Sequence, residues 1–373
     1  MLSFYLICTV CYILALIFLA KPWPKESKPN PVKLPQESVS LIISCRNESE
    51  NIPTLLQELT AQLPYLREVI LVDDGSEDDT YALLAAGGAG HPKIVVLKNP
   101  GIGKKPAISA AVLQAKGELI ITSDADCIWQ NGWIKELVAE FSNPKIQLVA
   151  GPVIPFRPAS KKPFFELIDW ASILLVTQFS FAQKKPLMCS GANLAYRKSA
   201  FEKVEGYKGN QEFLSGDDEF LLKKVLKKFS AEAVSYRNNT TSLVLTLAQP
   251  SIKALVNQRI RWSGKWRLHE EWAHSISALG AFFVQIFWIS SFLLLLQGLN
   301  GVLVFVFIWL LKIGIEATVL GRVLRFYRVN SHLPTFVFTS FFHPVFVIRV
   351  ALGSLGGKFV WKGRSMVRNS IFA

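Results

Sequence analysis

Three acidic motifs are the segments of this chain that are most able to do chemistry. The first is Asp73-Asp74-Gly75-Ser76, which stands at the end of an apolar run. A carboxylate at the end of a buried strand can accept hydrogen bonds from the ribose or the base of a nucleotide. Asp and Gly also favour ordinary turns. The motif therefore indicates either a nucleotide contact or a plain turn.

The second motif is Ser123-Asp124-Ala125-Asp126, which again follows an apolar run. Two acids at the end of a strand can hold Mg²⁺ or Mn²⁺ against a diphosphate, and the metal then neutralises the charge of the leaving group. Alternate residues of an extended segment point in opposite directions, so the spacing does not place both carboxylates on one ion. The alternative is an exposed acidic turn.

The third motif is Ser215-Gly216-Asp217-Asp218-Glu219, directly before a helical pattern. Acids at a helix N-terminus cap the helix and complement its dipole, which is one interpretation. The other is a general base that takes the proton of an acceptor hydroxyl. Burial of two neighbouring acids would raise the pKa of one of them towards a useful range.

Two basic segments accompany the acids. Gly101-Ile102-Gly103-Lys104-Lys105 is a glycine-rich turn that enters a helix, although it lacks the spacing of known phosphate-binding loops. We assign Lys105 to the phosphates of a ligand, with a surface loop as the alternative. In Gln258-Arg259-Ile260-Arg261-Trp262, arginine can grip a diphosphate and tryptophan can offer a flat face to a sugar or lipid head. Such residues are also common anchors at membrane surfaces.

Alternating apolar strands and helices must position these motifs. The pattern predicts helices from about residue 50 and over 104–116. It predicts strands over 39–44, 68–74, 93–99, 118–126 and 147–153. This alternation indicates an α/β fold with a mostly parallel sheet that is covered on both faces. Functional loops are then expected at the carboxyl ends of the strands.

Long apolar segments flank this domain. Residues 2–20 are long enough to span a bilayer and lack the basic start and cleavage site of a signal peptide, which is the competing interpretation. Residues 275–297 and 301–320 predict two further spans joined by an external turn. The last apolar stretch, 333–355, is either a simple span or a hairpin that reverses at His343-Pro344 and returns to the cytoplasm.

The net charge of +13 follows the apolar flanks rather than the central domain. It divides into +3 for residues 1–35, −1 for 36–249 and +11 for 250–373. This distribution is typical of the positive-inside rule for membrane proteins and excludes a nucleic-acid partner. The five cysteines are odd in number and lack the spacing of a disulfide framework or zinc site, which indicates a reducing compartment.

In this order the motifs resemble the family 2 glycosyltransferases, which have the GT-A fold. The matching segments are SCRNE (44–48), VDDGSEDDT (72–80), GKKPAISAAVLQAKGE (103–118), TSDADC (122–127), CSGANLAYRK (189–198), GDDE (216–219) and QRIRW (258–262). The resemblance covers roughly residues 39–265, and the layout is similar to ceramide glucosyltransferases and to bacterial transferases that glycosylate carotenoid or hopanoid lipids. It implies a Rossmann-like GT-A domain between transmembrane helices.

The resemblance implies a role for each matched residue. Asp74, together with Asp73, corresponds to the acid that binds uracil, and Asp218 corresponds to the catalytic base. The predicted site comprises catalytic Asp217 and Asp218; nucleotide-sugar contacts Asp73, Asp74, Asp124, Lys105, Gln258, Arg261 and Trp262; metal ligands Asp124 and Asp126; and acceptor contacts Cys189, Gly191 and Trp262. A divalent metal, Mg²⁺ or Mn²⁺, is the implied cofactor.

The implied reaction is an inverting transfer of a hexose or related sugar. The donor is a UDP-sugar, and the acceptor is a hydroxyl or carboxyl of a membrane lipid at the cytoplasmic face. One alternative is a processive polysaccharide synthase of the cellulose, chitin or hyaluronan type. Another is a non-catalytic membrane protein that retains a nucleotide-binding domain.

These inferences predict a multi-pass cell-membrane protein with a cytoplasmic catalytic domain. Residues 163–185 are apolar enough to suggest another span, but Glu166 and Asp169 favour an interfacial or core helix. The predicted divisions are an N-terminal transmembrane helix (1–21), a proline-rich linker (22–37), the GT-A domain (38–250), an interfacial helix (251–274), membrane segments (275–357) and a basic cytoplasmic tail (358–373).

Overall fold

The chain divides into two compact units. The computed structural model describes residues 1–25, 34–157, 165–210, 216–263, 272–356, 358–362 and 364–367. The first unit, called the helix unit here, consists of Met1–Trp23, Arg157–Phe179 and Ala248–Ala373. The second, called the sheet unit, consists of Pro24–Phe156 and Ser180–Leu247.

The strand–helix alternation predicted over residues 39–126 is confirmed, with the ends of the predicted elements agreeing to within two residues. The helices are α1 (Leu2–Ala20), α2 (Ile52–Gln62), α3 (Thr80–Ala89), α4 (Lys104–Gln114), α5 (Trp133–Ala139), α6 (Phe165–Ala182), α7 (Lys198–Lys203), α8 (Asp217–Phe229), α9 (Ile252–Ser263), α10 (Trp272–Ser290), α11 (Gly298–Phe326) and α12 (Leu333–Leu355). The strands are β1 (Val39–Cys45), β2 (Glu68–Asp73), β3 (Ile94–Lys98), β4 (Leu119–Asp124), β5 (Cys127–Trp129), β6 (Leu148–Ala150), β7 (Val153–Phe156), β8 (Leu194–Arg197), β9 (Val234–Tyr236), β10 (Val244–Leu247), β11 (Lys358–Trp361) and β12 (Arg364–Val367).

The main sheet has the strand order β3-β2-β1-β4-β8-β6-β9. Its pairs are parallel except for β8, which runs antiparallel to β4 and β6. The predicted mostly parallel α/β sheet is therefore confirmed. Cys45 lies opposite Asp73 and Ser44 lies opposite Asp124, so β2 and β4 end on either side of β1. Since neighbouring strands lie about 4.8 Å apart, the first two acidic motifs share one sheet edge at roughly 10 Å separation.

The central strands form the core of the sheet unit. In β1 the consecutive residues Leu41, Ile42 and Ile43 are all buried, so both faces of the strand are covered. On one face, Ile108 and Val112 of α4 join the hydrophobic cluster. Coverage on both faces explains why these strands are continuous apolar runs in the sequence and do not alternate with polar residues.

A second sheet of the sheet unit has the order β5-β10-β7. The single strand predicted over 147–153 is wrong, because β6 ends at Ala150 and β7 begins at Val153 in the other sheet. Asn193 causes the break: its Nδ2 donates to the Pro152 carbonyl at 2.8 Å, and a Cβ on Gly151 would lie 2.3 Å from that nitrogen. Glycine permits this approach, and proline has no N–H for a ladder bond.

Five helices of the described chain are long and apolar enough to cross a membrane. They span Leu2–Ala20, Phe165–Ala182, Leu279–Leu296, Gly298–Phe326 and Leu333–Leu355. In the second of these, α6, 61% of the apolar window is buried, against 11–33% in the others. This difference agrees with the expectation that α6 is a core or interfacial helix, while the other four correspond to the predicted spans.

The last apolar segment does not reverse direction. α12 runs unbroken from Leu333 to Leu355 with Pro344 inside it, so the hairpin alternative at His343-Pro344 is wrong. Proline removes one N–H from the helix ladder, and a long apolar helix tolerates that loss when its neighbours satisfy the freed carbonyl. The tail predicted after residue 357 contains the antiparallel pair β11–β12.

Some predictions concern residues that lie outside the described chain. These are Ser215 of the third motif, most of the proline-rich linker (26–33), the end of the interfacial helix (264–271) and the last six residues of the tail (368–373).

Candidate active site

Asp73 closes the turn that follows β2. Its two carboxylate oxygens accept from the backbone nitrogen of Ser76, at 3.3 and 3.4 Å. The turn-forming interpretation of this residue is therefore realised in the structure. Its predicted contact with a nucleotide stays a prediction.

Asp74 connects the end of β2 with the glycine-rich loop before α4. Its Oδ1 accepts from Asn99 Nδ2 at 2.6 Å and from the Gly103 backbone nitrogen at 2.9 Å. The residue is only 1% exposed. The carboxylate thus holds the start of α4 at the sheet edge, and its contact with uracil stays a prediction.

Arg46 is a positioning residue that the motif analysis of single acids does not identify. Its buried guanidinium donates to the backbone oxygens of Asp74 and Gly75, and its Nη2 lies 2.8 Å from Glu77 Oε1. These contacts fix the turn after β2 from the neighbouring β1. In the sequence, Arg46 could have been identified by its position as a charged residue directly after a buried strand, within the SCRNE segment.

Asp124 and Asp126 lie at the end of β4, on either side of Ala125. The Asp124 side chain is 40% exposed, and its Oδ1 accepts from Lys104 Nζ at 2.6 Å. Asp126 Oδ2 accepts from the Thr246 hydroxyl at 3.3 Å. Burial raises the pKa of the adjacent Cys127 thiol well above its usual range, with further contributions from Asp126 and Asp124. Cys127 therefore remains a neutral thiol beside the two acids.

Lys104, the first residue of α4, brings the second and third acidic motifs together. Its Nζ lies 2.6 Å from Asp124 Oδ1 and 3.6 Å from Asp217 Oδ2. Burial acts to lower the pKa of Lys104, but the charges of Asp124 and Asp217 outweigh it and raise this pKa above its usual range. Lys104 is consequently a fixed cation between two motifs that are distant in the sequence.

Lys105, predicted to contact phosphates, has a different environment. Its Nζ donates to the Asn210 carbonyl at 2.8 Å and lies 4.4 Å from the centre of the Phe220 ring. Lys105 precedes Ile108 and Val112 by three and seven positions, which is the spacing of one helix face. Helical periodicity therefore indicates a buried Lys105, and the sequence contained this signal.

Asp218 is held at the start of α8 by two backbone N–H groups. Gly191 donates to Oδ2 at 2.9 Å and Glu219 donates to Oδ1 at 2.7 Å. A Cβ on Gly191 would lie 2.9 Å from Asp217 Oδ2 and 3.2 Å from Lys104 Nζ. The segment after α6 thus reaches the acids because residue 191 is glycine.

We call Lys104, Asp124, Asp217, Asp218 and Gly191 the Lys104 cluster. It unites the second and third motifs with the CSGAN segment, and three carboxylates surround one ammonium. Cys189, predicted to contact the acceptor, packs half-buried against the hydrophobic core of the sheet unit.

Asp124 and Asp126, the two carboxylates at the end of β4, have the chemistry of a divalent-metal site. Carboxylate oxygens are the donors that Mg²⁺ and Mn²⁺ prefer, and Asp124 is accessible. In the described parts of the chain, no three His, Cys, Asp or Glu side chains are grouped to hold a metal. Mg²⁺ commonly binds one or two carboxylates together with substrate phosphates, so the residues present fit a metal that arrives with a diphosphate.

Gln258, Arg261 and Trp262 lie on α9 in the helix unit. Gln258 Oε1 accepts from Arg259 Nη1 at 2.6 Å, and the Trp262 ring meets the Trp170 ring edge to face at 5.4 Å. The predicted contacts of these three residues with a diphosphate and an acceptor stay predictions.

Comparison with known proteins shows which family and which curated proteins this chain is similar to. Residues 40–205 match the family described as Glycosyl transferase family 2. Similar curated proteins are the undecaprenyl-phosphate 4-deoxy-4-formamido-L-arabinose transferases of Pseudomonas fluorescens (strain SBW25), 42% identical over 104 residues, and of Serratia proteamaculans (strain 568), 43% identical over 97 residues. The matches cover 26% and 25% of this chain and 29% and 30% of the relatives. The chain therefore spans about three tenths of the length of these relatives.

A solved structure shares the fold over nearly the whole chain. It is the mannosyltransferase PcManGT from Pyrobaculum calidifontis, in complex with GDP-mannose and Mn²⁺, with a TM-score of 0.57 and 20% identity. The match covers 95% of this chain and 99% of that chain. The fold is of the GT-A type. More specifically, residues 40–205 form a glycosyltransferase family 2 domain, in a chain with candidate membrane helices.

Proposed function

We propose that this chain is an inverting transferase that moves a hexose or related sugar from a UDP-sugar to a hydroxyl of a membrane lipid at the cytoplasmic face. The Lys104 cluster carries the proposal. Transfer from a diphosphate donor to a hydroxyl needs one carboxylate site for the metal and diphosphate, and another that receives a proton. The cluster contains a strand-end acid, Asp124, and a separate helix-end pair, Asp217 and Asp218.

Asp218 receives the proton of the acceptor hydroxyl in this mechanism. The N–H groups of Gly191 and Glu219 orient its carboxylate, so its position is set before the acceptor binds. The deprotonated oxygen attacks the anomeric carbon from the side opposite the diphosphate, which inverts the configuration at that carbon. A base in hydrogen-bond reach contributes roughly 10²- to 10⁴-fold to such a step.

Asp124 and Asp126 are the residues that would hold a divalent metal. When bound, the metal supplies positive charge that neutralises the leaving diphosphate. Lys104 adds a second positive charge next to Asp124. The mannosyltransferase with the same fold was solved with GDP-mannose, so the base of the nucleotide is the first donor feature to test.

A lipid acceptor is supported by the apolar helices and by the names of the relatives. Four of the five candidate membrane helices bury no more than a third of their apolar window. The similar curated transferases are named for undecaprenyl phosphate. An ionised lipid phosphate attacks without losing a proton, so it would give Asp218 no proton to receive. We therefore propose a neutral hydroxyl as the attacking group.

The test is sugar transfer by the purified full-length protein in nanodiscs that contain lipids of the source cell. UDP-glucose, UDP-N-acetylglucosamine, UDP-galactose and GDP-mannose are supplied separately with Mg²⁺ or Mn²⁺, and the lipids are analysed by mass spectrometry. We expect one sugar on one lipid class, loss of product with EDTA, and loss with Asp218→Asn. Glu202→Gln is the matched control, because this acid is exposed on α7.

The products separate the competing functions. Transfer from GDP-mannose without transfer from any UDP-sugar would contradict the proposed donor. Sugar on a lipid phosphate would contradict the proposed acceptor group. A ladder of oligosaccharides or a polymer would instead indicate a processive synthase.

A further inference from the structure

The Gln258–Trp262 segment contains a buried cation, Arg259, to which the QxxRW pattern gives no role. The residue lies on α9 and is 6% exposed. A buried guanidinium is destabilising unless its N–H groups and its charge are compensated. The groups that contact Arg259 therefore indicate which side chains it positions.

The edge of the guanidinium joins α6 to the first residue of the motif. Arg259 Nε and Nη2 lie 2.8 and 2.7 Å from Asp169 Oδ2, and Nη1 donates to Gln258 Oε1 at 2.6 Å. Arginine can only donate hydrogen bonds. The Gln258 oxygen must therefore face Arg259, which turns the amide nitrogen of Gln258 away from it as a donor for another partner.

Two indole rings lie next to the same guanidinium. Its central carbon is 4.3 Å from the centre of the Trp262 ring and 5.3 Å from that of Trp170. The two rings meet edge to face at 5.4 Å. Cation–π attraction and the edge contact together fix the plane of the Trp262 ring.

Asp169, which anchors Arg259, is itself held from a third helix. His343 Nε2 of α12 lies 3.3 Å from Asp169 Oδ1, while Arg259 engages Oδ2. Both oxygens of this buried carboxylate are thus occupied. Asp169 is therefore a rigid support for Arg259.

We propose that Arg259 and Asp169 are positioning residues that set the Gln258 amide as a hydrogen-bond donor and fix the Trp262 ring for the sugar-transfer reaction. What Gln258 and Trp262 then bind rests on the proposed function. Lysine is a poor substitute at position 259, because its ammonium cannot engage Asp169 and Gln258 in one plane and stack on an indole.

Kinetics of full-length variants test the coupling. We expect Arg259→Lys and Gln258→Leu each to lower kcat/KM by about 10- to 100-fold, which is the effect of a small misplacement of a binding group. The double variant should lose no more than the worse single variant. Lys253→Met, which removes an exposed cation from α9, should match the wild type. Additive losses would overturn the proposal.

A second variant keeps the fold and tests the amide polarity alone. In Gln258→Glu the carboxylate still accepts from Arg259 but has no N–H to donate. We expect unchanged thermal unfolding and a donor KM raised at least tenfold. A donor KM equal to that of the wild type would overturn the assignment of Gln258 as a donor.

A fluorescence measurement is independent of transfer. The emission of Trp262 is obtained as the difference between a protein and its Trp262→Phe variant, with and without Arg259→Lys. We expect the difference spectrum to change when Arg259 is replaced. Identical difference spectra would overturn the positioning role, whereas a changed spectrum with no transfer by the wild type would leave that role intact and contradict the proposed function instead.

Discussion

Lys104 and Lys312 both lie against carboxylates, the first in the sheet unit and the second in the helix unit, and their surroundings differ. In the sheet unit, Lys104 contacts Asp124 at 2.6 Å and Asp217 at 3.6 Å, and its side chain is 18% exposed. In the helix unit, Lys312 contacts Glu316 one turn along α11 at 2.5 Å, and its side chain is 2% exposed. Lys104 therefore lies among more carboxylates than it can neutralise, whereas Lys312 is paired with the single carboxylate of Glu316.

Glu316 is surrounded by donors from three apolar helices. Besides Lys312, the hydroxyl of Tyr12 on α1 donates to its Oε1 at 2.6 Å, and the hydroxyl of Ser340 on α12 donates to its Oε2. We call these four residues the Lys312 cluster. Every oxygen of the carboxylate has a partner, which is how ionisable groups persist in apolar helix bundles.

Charge balance and access to solvent, more than the presence of a buried lysine, distinguish the two clusters. A balanced, buried pair stabilises the arrangement of its helices when both partners are present. An accessible cluster with excess negative charge can still attract a cation or a proton. Substitutions in the Lys104 cluster should therefore change activity more than stability. Substitutions in the Lys312 cluster should change stability more than activity.

The largest effect is expected for Asp218→Asn. Transfer should fall by about 10²- to 10⁴-fold, because the amide cannot take a proton but keeps the size of the side chain. Initial rates at saturating substrate measure the loss. The unfolding free energy should fall by about 1–3 kcal/mol, because asparagine has one acceptor oxygen for the two backbone N–H groups of Gly191 and Glu219. Retained activity in a folded variant would contradict Asp218 as the base, and an equal loss in Glu202→Gln would show that the effect is not specific.

A loss of stability is expected for Glu316→Leu. The substitution leaves Lys312 buried without its counter-ion, and breaking a buried pair costs about 3–5 kcal/mol in soluble proteins. Thermal unfolding in detergent should show a lower midpoint, and the double variant Lys312→Met/Glu316→Leu should recover most of it. Transfer per folded molecule should stay unchanged in both. A double variant no more stable than the single one would contradict the structural role of the pair.

Lys104→Met should strengthen metal binding while it weakens transfer. Removing the ammonium 2.6 Å from Asp124 leaves that carboxylate more attractive to a cation. A charge pair at 4 Å contributes about 1–4 kcal/mol in partly exposed surroundings, so a gain of roughly tenfold in Mn²⁺ affinity is expected. Titration monitored by electron paramagnetic resonance without donor measures it. Lys116→Met, at an exposed lysine after α4, is the control, and equal affinities for all three proteins would contradict the role of Lys104.

The smallest effect is expected for Tyr12→Phe. The variant loses one hydrogen bond to Glu316, which corresponds to about 0.5–1.5 kcal/mol of unfolding free energy. Tyr5→Phe, whose hydroxyl donates to the neutral Ser290 carbonyl at 2.9 Å, is the matched comparison and should lose less. Equal losses in thermal unfolding would show that the charge of Glu316 does not strengthen the Tyr12 contact.

Local pattern was sufficient for much of the fold and for the composition of the site. Continuous apolar runs predicted the parallel strands, and long apolar segments predicted the four exposed apolar helices. Predictions failed where a distant residue intervened. Asn193 lies at the division of the strand expected over 147–153. α12 runs unbroken through Pro344, where a reversal was the alternative.

Hydrophobic periodicity and turn chemistry depend on neighbouring residues, so the α/β core, the apolar flanks and the acids at the strand ends follow from the amino-acid sequence. The tertiary structure brings distant groups together. It placed Lys104 between Asp124 and Asp217, and it buried Lys312 with Glu316. These contacts join residues on different elements or depend on what surrounds a helix. Electrostatic interaction acts through space, so the spacing of charges along the chain does not reveal that Lys104 lies near Asp124 and Asp217.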